Sequence, residues 1–427
     1  MGKLDAEIAD AVAGLKGDIV NFIGNAVQIP SLPGSEKDVQ TLIAHKLAAL
    51  DLNVDNFAVN PEDLRKHPAF SDDGFPFDNR INVIGKWKGT AAPGKLARSL
   101  ILNGHVDVVS PGDESLWSES PWSGRVADGK IFGRGSTDMK AGLAAAIYAV
   151  EALKKLRIEL AGDVVVESVV GEETGGCGTL AGILKGYKAD AAIIIEPTAL
   201  KICPVQSGAL SFRLHVKGRA MHGCMKNKGV SAIAKFYHLF KSIEAFEQQR
   251  HQHYRNPLYP DPMNVAPISI GVLKSGEWHS TVPDQLVAEG RYGIFPDESV
   301  EYAKEQFTTM IRLAAEQDDW MREHPPHVEW FEGQFESGQT SLDDPIIHVL
   351  SKCHQRITGK KPEIEGVTYG SDLRLFTNHG HIPAVLYGPG DVIDAHTVDE
   401  CIVIEEVMRA TNVLALTLVS WCGRLMP

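Results

Sequence analysis

Apolar residues recur at helical spacing over residues 4–27 and again over 35–50, where Val39, Leu42, Ile43, Leu47 and Leu50 share a face and Ser35 stands where a cap belongs. Both stretches predict outer helices. Residues 60–80 are rich in Pro, Asp, Gly and Phe and read as a long surface excursion. The pattern then changes to short, continuous apolar runs bounded by glycine, the mark of strands buried on both faces. These runs are 82–87, 99–105, 163–170, 191–195 and, far downstream, 382–387. The first two are so close in sequence that they are expected to be antiparallel neighbours. An alanine-rich helix at 141–156 and a final helix at 402–419 are set to pack on the sheet.

Residues 208–333 have a different rhythm: strand 209–216, helix 229–246, strands 264–273 and 285–295, helix 299–316, strand 328–331. That βαββαβ order is the ferredoxin-like pattern, and it reads as an insertion because α/β strands resume after it. The expectation is an α/β protein with a central mixed sheet flanked by helices, built from 1–207 and 336–427 and interrupted by an inserted domain at 208–335. No internal repeat or low-complexity segment is evident.

Composition narrows the function. With 427 residues, 44% hydrophobic and 23% charged, the chain can bury a large core. A formal net charge of −13 repels phosphate backbones and anionic lipid heads, which argues against nucleic acid or a membrane as partner. The first residues lack an apolar signal-peptide core and no run reaches membrane-spanning length, so a cytoplasmic protein is expected. Cys177, Cys203, Cys224, Cys353, Cys401 and Cys422 are scattered without C-x-x-C pairs, which points to reduced thiols. Any metal must then be held by oxygen and imidazole.

Polar residues stand where the buried runs stop, and in open α/β sheets the carboxyl ends of strands are where ligands sit. Asn103-Gly104-His105-Val106-Asp107 ends one run; Asp107, two residues past His105, falls on the same side and can accept the other ring N–H. Asp138 opens the alanine-rich helix, where taken singly an N-cap is the simpler reading. Gly171-Glu172-Glu173-Thr174-Gly175-Gly176 and Glu196-Pro197-Thr198 end two more runs, and His396 lies in the loop after 382–387. Taken singly, each is an ordinary turn. Together His105, Asp138, Glu173, Glu196 and His396, with Asp107 and Glu172 beside them, form a hard oxygen-and-imidazole set suited to Zn, Mn or Co. Five ligands exceed what one tetrahedral ion takes, whereas two ions sharing a carboxylate use them all, with three carboxylates offsetting three of the four charges. Two such ions about 3.5–4 Å apart acidify water and polarise a carbonyl, which is a hydrolase arrangement.

These motifs, with Gly133-Arg134-Gly135-Ser136-Thr137-Asp138-Met139-Lys140-Ala141-Gly142 and Ala395-His396, resemble in order and over nearly the whole chain the signature of the two-metal amidohydrolases. That family includes acetylornithine deacetylase, succinyl-diaminopimelate desuccinylase, aminoacylase and glutamate carboxypeptidase. Ile194-Ile195-Glu196-Pro197-Thr198 and the glycine-rich strand ends lean toward the acetylornithine deacetylase branch. The resemblance implies a catalytic domain interrupted by a lid and dimerisation domain, with a homodimer formed through the lid. It makes His105 and Glu196 ligands of one zinc (or cobalt or manganese), Glu173 and His396 ligands of the other, and Asp138 the bridge. Asp107 would orient His105, Glu172 would be the general base, and the Asp138-Met139 peptide would be cis.

In the lid, Gly218-Arg219-Ala220-Met221-His222-Gly223-Cys224 resembles the segment whose histidine reaches a partner subunit's active site, which implies that His222 stabilises the oxyanion; Cys224 stands where relatives often have serine. Asn264 and Arg291 match positions that contact substrate, the arginine as a carboxylate clamp. Gly370-Ser371-Asp372-Leu373-Arg374 resembles a loop facing the substrate, with Ser371 and Arg374 as contacts, although Arg374 suits a structural acid equally well. His251 and His253, in a Gln- and Arg-rich stretch, are expected to be solvated. The implied activity is hydrolysis of a small N-acyl amino acid to a carboxylate and a free amino acid. Alternatives are a dipeptidase or carboxypeptidase acting on a peptide, a desuccinylase, which would need an extra cationic contact, and a non-catalytic binding protein on the same scaffold.

Overall fold

Continuous Val, Ile and Ala runs tolerate burial on both faces, and in the computed structural model, which describes residues 2–90 and 97–424, they form the middle of the larger sheet. Val164–Val169, Leu100–His105, Ala191–Ile194 and Ala384–Leu386 lie side by side in that order, all parallel, with every residue buried. Ile81–Trp87 pairs antiparallel with Val164–Val169, and Asn53–Ala58 antiparallel with Ile81–Trp87. Ile202–Gln206, Gly338–Gln339 and Ile364–Val367 complete a mixed sheet of nine strands.

The structure departs from three expectations and adds a strand. The runs at 82–87 and 99–105 are not neighbours, because Val164–Val169 lies between them. A parallel partner requires a long crossover, which the helix Ala141–Lys155 supplies, and that pairing displaces the short-range one. Asn53–Ala58 escapes a search for apolar runs because it is an edge strand that mixes Val54, Phe57 and Ala58 with Asn53, Asp55 and Asn56. The first helical stretch is two helices, Lys3–Gly14 and Lys16–Val27, that meet at Leu15. The next begins at Lys37 behind Glu36, so Ser35 is not its cap.

Ala141–Lys155 and Ile404–Cys422 pack together, and Ile147, Val150, Val413 and Leu414 join Leu102, Val166 and Ile193 of the sheet in one core. Gly142 makes that packing possible: a Cβ there would sit 2.1 Å from the Ile195 carbonyl oxygen, so only glycine lets the helix meet the strand end that leads to Glu196.

The chain divides into two compact units, the first comprising Met1–Pro204, Gln339–Glu365 and Ser371–Pro427 and the second Val205–Gly338 and Gly366–Gly370. In the second, Gly208–Lys217, Ala232–His253, Ile268–Ser275, Gln285–Ile294, Val300–Glu316 and His327–Phe335 follow one another as βαββαβ. The sheet is antiparallel, with Gln285–Ile294 and Gly208–Lys217 central and Ile268–Ser275 and His327–Phe335 at the edges. Phe236, Leu239, Phe307 and Ile311 from the helices pack on Phe212, Leu214 and Tyr292 in a core of its own. The fold is thus α/β, with a large mixed sheet and a separate ferredoxin-like antiparallel one. Among the described residues no helix is long and apolar enough to cross a membrane.

Candidate metal centre

All four buried parallel strands end at one edge of the sheet, and each delivers a polar group there. His105 is the last residue of its strand and is in register with Val169, three residues before Glu172. Glu196 follows Ile194 by two residues, and the loop after Ala384–Leu386 carries His396. Asp138 approaches from the segment Ser136–Lys140 at the start of the alanine-rich helix, and its peptide to Met139 is cis.

Asp138 divides its two oxygens: Oδ1 lies 3.1 Å from His105 Nε2 and Oδ2 lies 3.3 Å from His396 Nε2. His396 Nε2 is also 3.1 Å from Glu173 Oε1. His105 Nε2 is 3.8 Å from Glu196 Oε1 and 3.9 Å from Glu172 Oε2. Ligating atoms of His105, Asp138 and Glu173, and likewise of His105, Glu172 and Glu196, fall within 4.8 Å of one another. Hard carboxylate oxygens and imidazole nitrogens at this density fit divalent ions, and the split Asp138 carboxylate gives the cluster two centres rather than one.

The electrostatics follow from burial. Desolvation raises the pKa of Glu196 well above the ordinary carboxylate value, and Asp138 adds to it. Glu173 is raised for the same two reasons, with His396 opposing. For Asp138 burial also pushes upward, but the hydrogen bonds from His105 and His396 outweigh it and hold the carboxyl below its ordinary range. His396, bonded to Asp138 and Glu173, is lifted to about 10. In His105 the bond to Asp138 and the charge of Glu196 overcome desolvation and raise the imidazole well above its usual value. Carboxylates crowded together out of water are stabilised by positive charge, whether from these imidazolium protons or from metal ions.

Asp107 is completely buried, and its contacts differ from those its position in the sequence suggests. The His105 Nδ1–H donates to its main-chain oxygen at 2.9 Å, whereas the carboxylate Oδ1 is 3.7 Å away. The carboxylate instead accepts the backbone N–H groups of Glu172 (3.2 Å) and Glu173 (3.0 Å), so it fixes the turn that carries both acids.

Ser371 and Arg374, expected to face substrate, are buried within the first unit: the Ser371 hydroxyl accepts the Leu373 N–H, and Arg374 donates to the Gly175 carbonyl at 2.8 Å. Arg374 therefore props the glutamate turn from below. In the second unit, His222 lies on an exposed two-residue strand with Nδ1 accepting the Cys224 N–H. Asn264 is exposed and donates to Asp261, and Arg291 donates to the Thr368 carbonyl at 2.9 Å. His251 is buried against Phe295, not solvated.

Two acids went unrecognised in the sequence. Glu400 is buried and accepts the N–H groups of Thr137 and Asp138 together with a bond from Arg134. Asp372 is buried beneath the glutamate turn and accepts the Thr179 hydroxyl. Their only sequence signals were proximity to His396 and membership of the Gly370–Arg374 motif.

Residues 101–420 match the model of peptidase family M20/M25/M40. The chain belongs to this family. As an M20-family protein it is a metal-dependent hydrolase of amide bonds. It is 30% identical over 416 residues to N-formyl-4-amino-5-aminomethyl-2-methylpyrimidine deformylase of Halalkalibacterium halodurans, covering 93% of this chain and 92% of the relative. It is 27% identical over 354 residues to a probable succinyl-diaminopimelate desuccinylase of Staphylococcus epidermidis, covering 76% and 82%. Among solved structures, the Saccharomyces cerevisiae dipeptidase Dug1p has the same fold with a TM-score of 0.74 at 15% identity, over 99% of both chains. These curated relatives bear deformylase and desuccinylase names, so the leaning toward the acetylornithine deacetylase branch is not supported.

Proposed function

We propose that this M20-family enzyme hydrolyses the amide bond of an N-acyl amino acid, with Glu172 as general base. Zinc is the first choice of metal, with cobalt and manganese as alternatives for this donor set. His105 and Glu196 would hold one ion and Glu173 and His396 the other, with Asp138 shared between them. When bound, the two ions acidify a water and polarise the substrate carbonyl. Glu172 takes the water's proton on its carboxylate while the water's oxygen bonds to the amide carbon, and returns the proton to the amide nitrogen as the C–N bond breaks, so acid and amine leave and Glu172 is again a carboxylate. Burial raises the Glu172 pKa well above the ordinary value, with His105 opposing and Glu196 adding, which suits a group that must both accept and give back a proton.

His222 is assigned the oxyanion contact across a homodimer formed through the inserted unit. Because its Nδ1 accepts the Cys224 N–H, Nε2 carries the proton and is the atom able to donate. Sedimentation velocity reads the dimer.

The substrate class rests on one observation. Arg291 has no carboxylate within ion-pair distance among the described residues, and burial alone lowers its pKa. A desolvated guanidinium without an acid is a seat for a substrate carboxylate. A second reading, removal of a formyl group from an aminopyrimidine, is favoured by the similarity to the deformylase over nearly the full length of both chains.

The test is a panel of N-acetyl, N-formyl and N-succinyl amino acids, dipeptides and N-formyl-4-amino-5-aminomethyl-2-methylpyrimidine, run with metal analysis. Turnover of N-acyl amino acids, with KM raised in Arg291→Ala, supports the first reading. Turnover of the pyrimidine alone replaces it with the second, and of dipeptides alone with a peptidase.

A further inference from the structure

The loop that delivers His396 is held by turn hydrogen bonds within residues 391–397 and, at Asp399, by the Ser118 N–H and hydroxyl, which its carboxylate accepts at 2.8 and 2.7 Å. His396 is half-exposed, and both His396 (φ 59°) and Asp399 (φ 58°) adopt the left-handed backbone that side-chain-bearing residues avoid. Such conformations persist only where neighbouring structure enforces them. Beside the Ser118 contacts of Asp399, the next residue, Glu400, ties this loop to the segment that carries Asp138. Its Oε1 accepts the Thr137 N–H at 2.8 Å and the Asp138 N–H at 3.1 Å, while Oε2 pairs with Arg134 Nη1 at 2.5 Å. The main chain reinforces the joint: Gly133 N–H donates to the Glu400 carbonyl and the Thr137 hydroxyl to the Cys401 carbonyl, both at 2.8 Å. One buried carboxylate therefore grips the backbone of the shared ligand Asp138 from the segment that carries His396.

We propose that Glu400 is a positioning residue that sets the spacing between Asp138 and His396, and thereby the affinity of the second metal site. The inference rests on the two-ion reading above. In Glu400→Gln the side-chain amide keeps one acceptor oxygen but loses the charge that binds Arg134, so the His396 segment loosens while His105 and Glu196 stay on their strands.

The experiment titrates metal-free, full-length wild type, Glu400→Gln and Arg134→Lys with Co²⁺, following the visible absorption of the bound ion and the ions bound per chain. For Glu400→Gln the first ion should bind within about threefold of wild type and the second roughly 10–100-fold more weakly. Activity lost at one equivalent of metal should return at high Co²⁺, a rescue that general unfolding does not give. Arg134→Lys, which keeps a cation opposite Glu400, should show the same selective loss in smaller degree, and it decides the matter if Glu400→Gln does not fold. Second-ion affinity equal to wild type, or equal weakening of both ions, overturns the proposal. A wild type that binds fewer than two ions overturns the two-ion reading itself, and the proposal with it.

Discussion

His396 Nε2 lies 3.3 Å from Asp138 Oδ2, and the opposite oxygen of the same carboxylate lies 3.1 Å from His105 Nε2. A carboxylate divided between two imidazoles from distant segments is the geometry of a shared ligand. Asp138→Asn keeps the shape but replaces one oxygen with a donor that cannot ligate, so both ions should suffer. Metal analysis should find bound metal below half the wild-type content, and turnover should fall by more than the roughly 10–100-fold that losing an outer-shell partner costs. Full metal content in this variant would remove Asp138 from the bridge.

Glu172 presents a sharper choice, since distance alone groups it with His105 and Glu196 as readily as it leaves it free. A general base and a metal ligand respond differently to loss of charge. Glu172→Gln should retain its metal and lose about 10²–10⁴ in turnover. Loss of metal instead would make Glu172 a ligand, and near-normal turnover would end the assignment.

The fold class and the approach of these groups were legible because both rest on strong local signals. Valine and isoleucine runs such as 163–170 cannot be solvated, and the residue that ends each run is carried to the same edge once the strands lie parallel. Neighbour order was not legible: Val164–Val169 displaces the sequence-adjacent pairing through a helix-length crossover. Glu400 looked like one more acid in a polar loop, because its partners Arg134, Thr137 and Asp138 lie in a distant segment. His251 was misjudged by composition alone, although it stands eight residues beyond Ile243 on the buried face of its helix.

Asp107 makes contacts that its place two residues after His105 does not suggest. His105 donates to its carbonyl, which any residue would supply, while its carboxylate holds the N–H groups of Glu172 and Glu173. In Asp107→Asn the imidazole contact survives, but the amide oxygen satisfies only one of two N–H groups and the amide nitrogen repels the other. Binding of the first ion should change little, and kcat should fall about 10–100-fold with KM nearly constant. A loss of first-ion affinity larger than the loss in kcat would restore the orienting role to the carboxylate.

Glu167 gives the stability of the fold a pH dependence whose sign can be worked out. It sits in the fully buried strand Val164–Val169, with Asn103 Nδ2 donating to it at 3.1 Å. Burial pushes its carboxyl up to about 7, with Asp372 adding to the shift and the Asn103 bond opposing it. The unfolded chain releases that proton near the ordinary glutamate value of about 4.3. Between these values the native state binds more protons than the unfolded state, so stability from this group is fully present below about pH 4 and falls as pH rises to about 7. The whole effect is worth about 3–4 kcal/mol. Glu167→Gln accepts the same Asn103 bond without a charge to desolvate. Thermal unfolding should therefore place the variant above wild type at pH 8 and much closer to it at pH 5. A Tm difference of the same size at both pH values would show that Glu167 enters the native state already ionised.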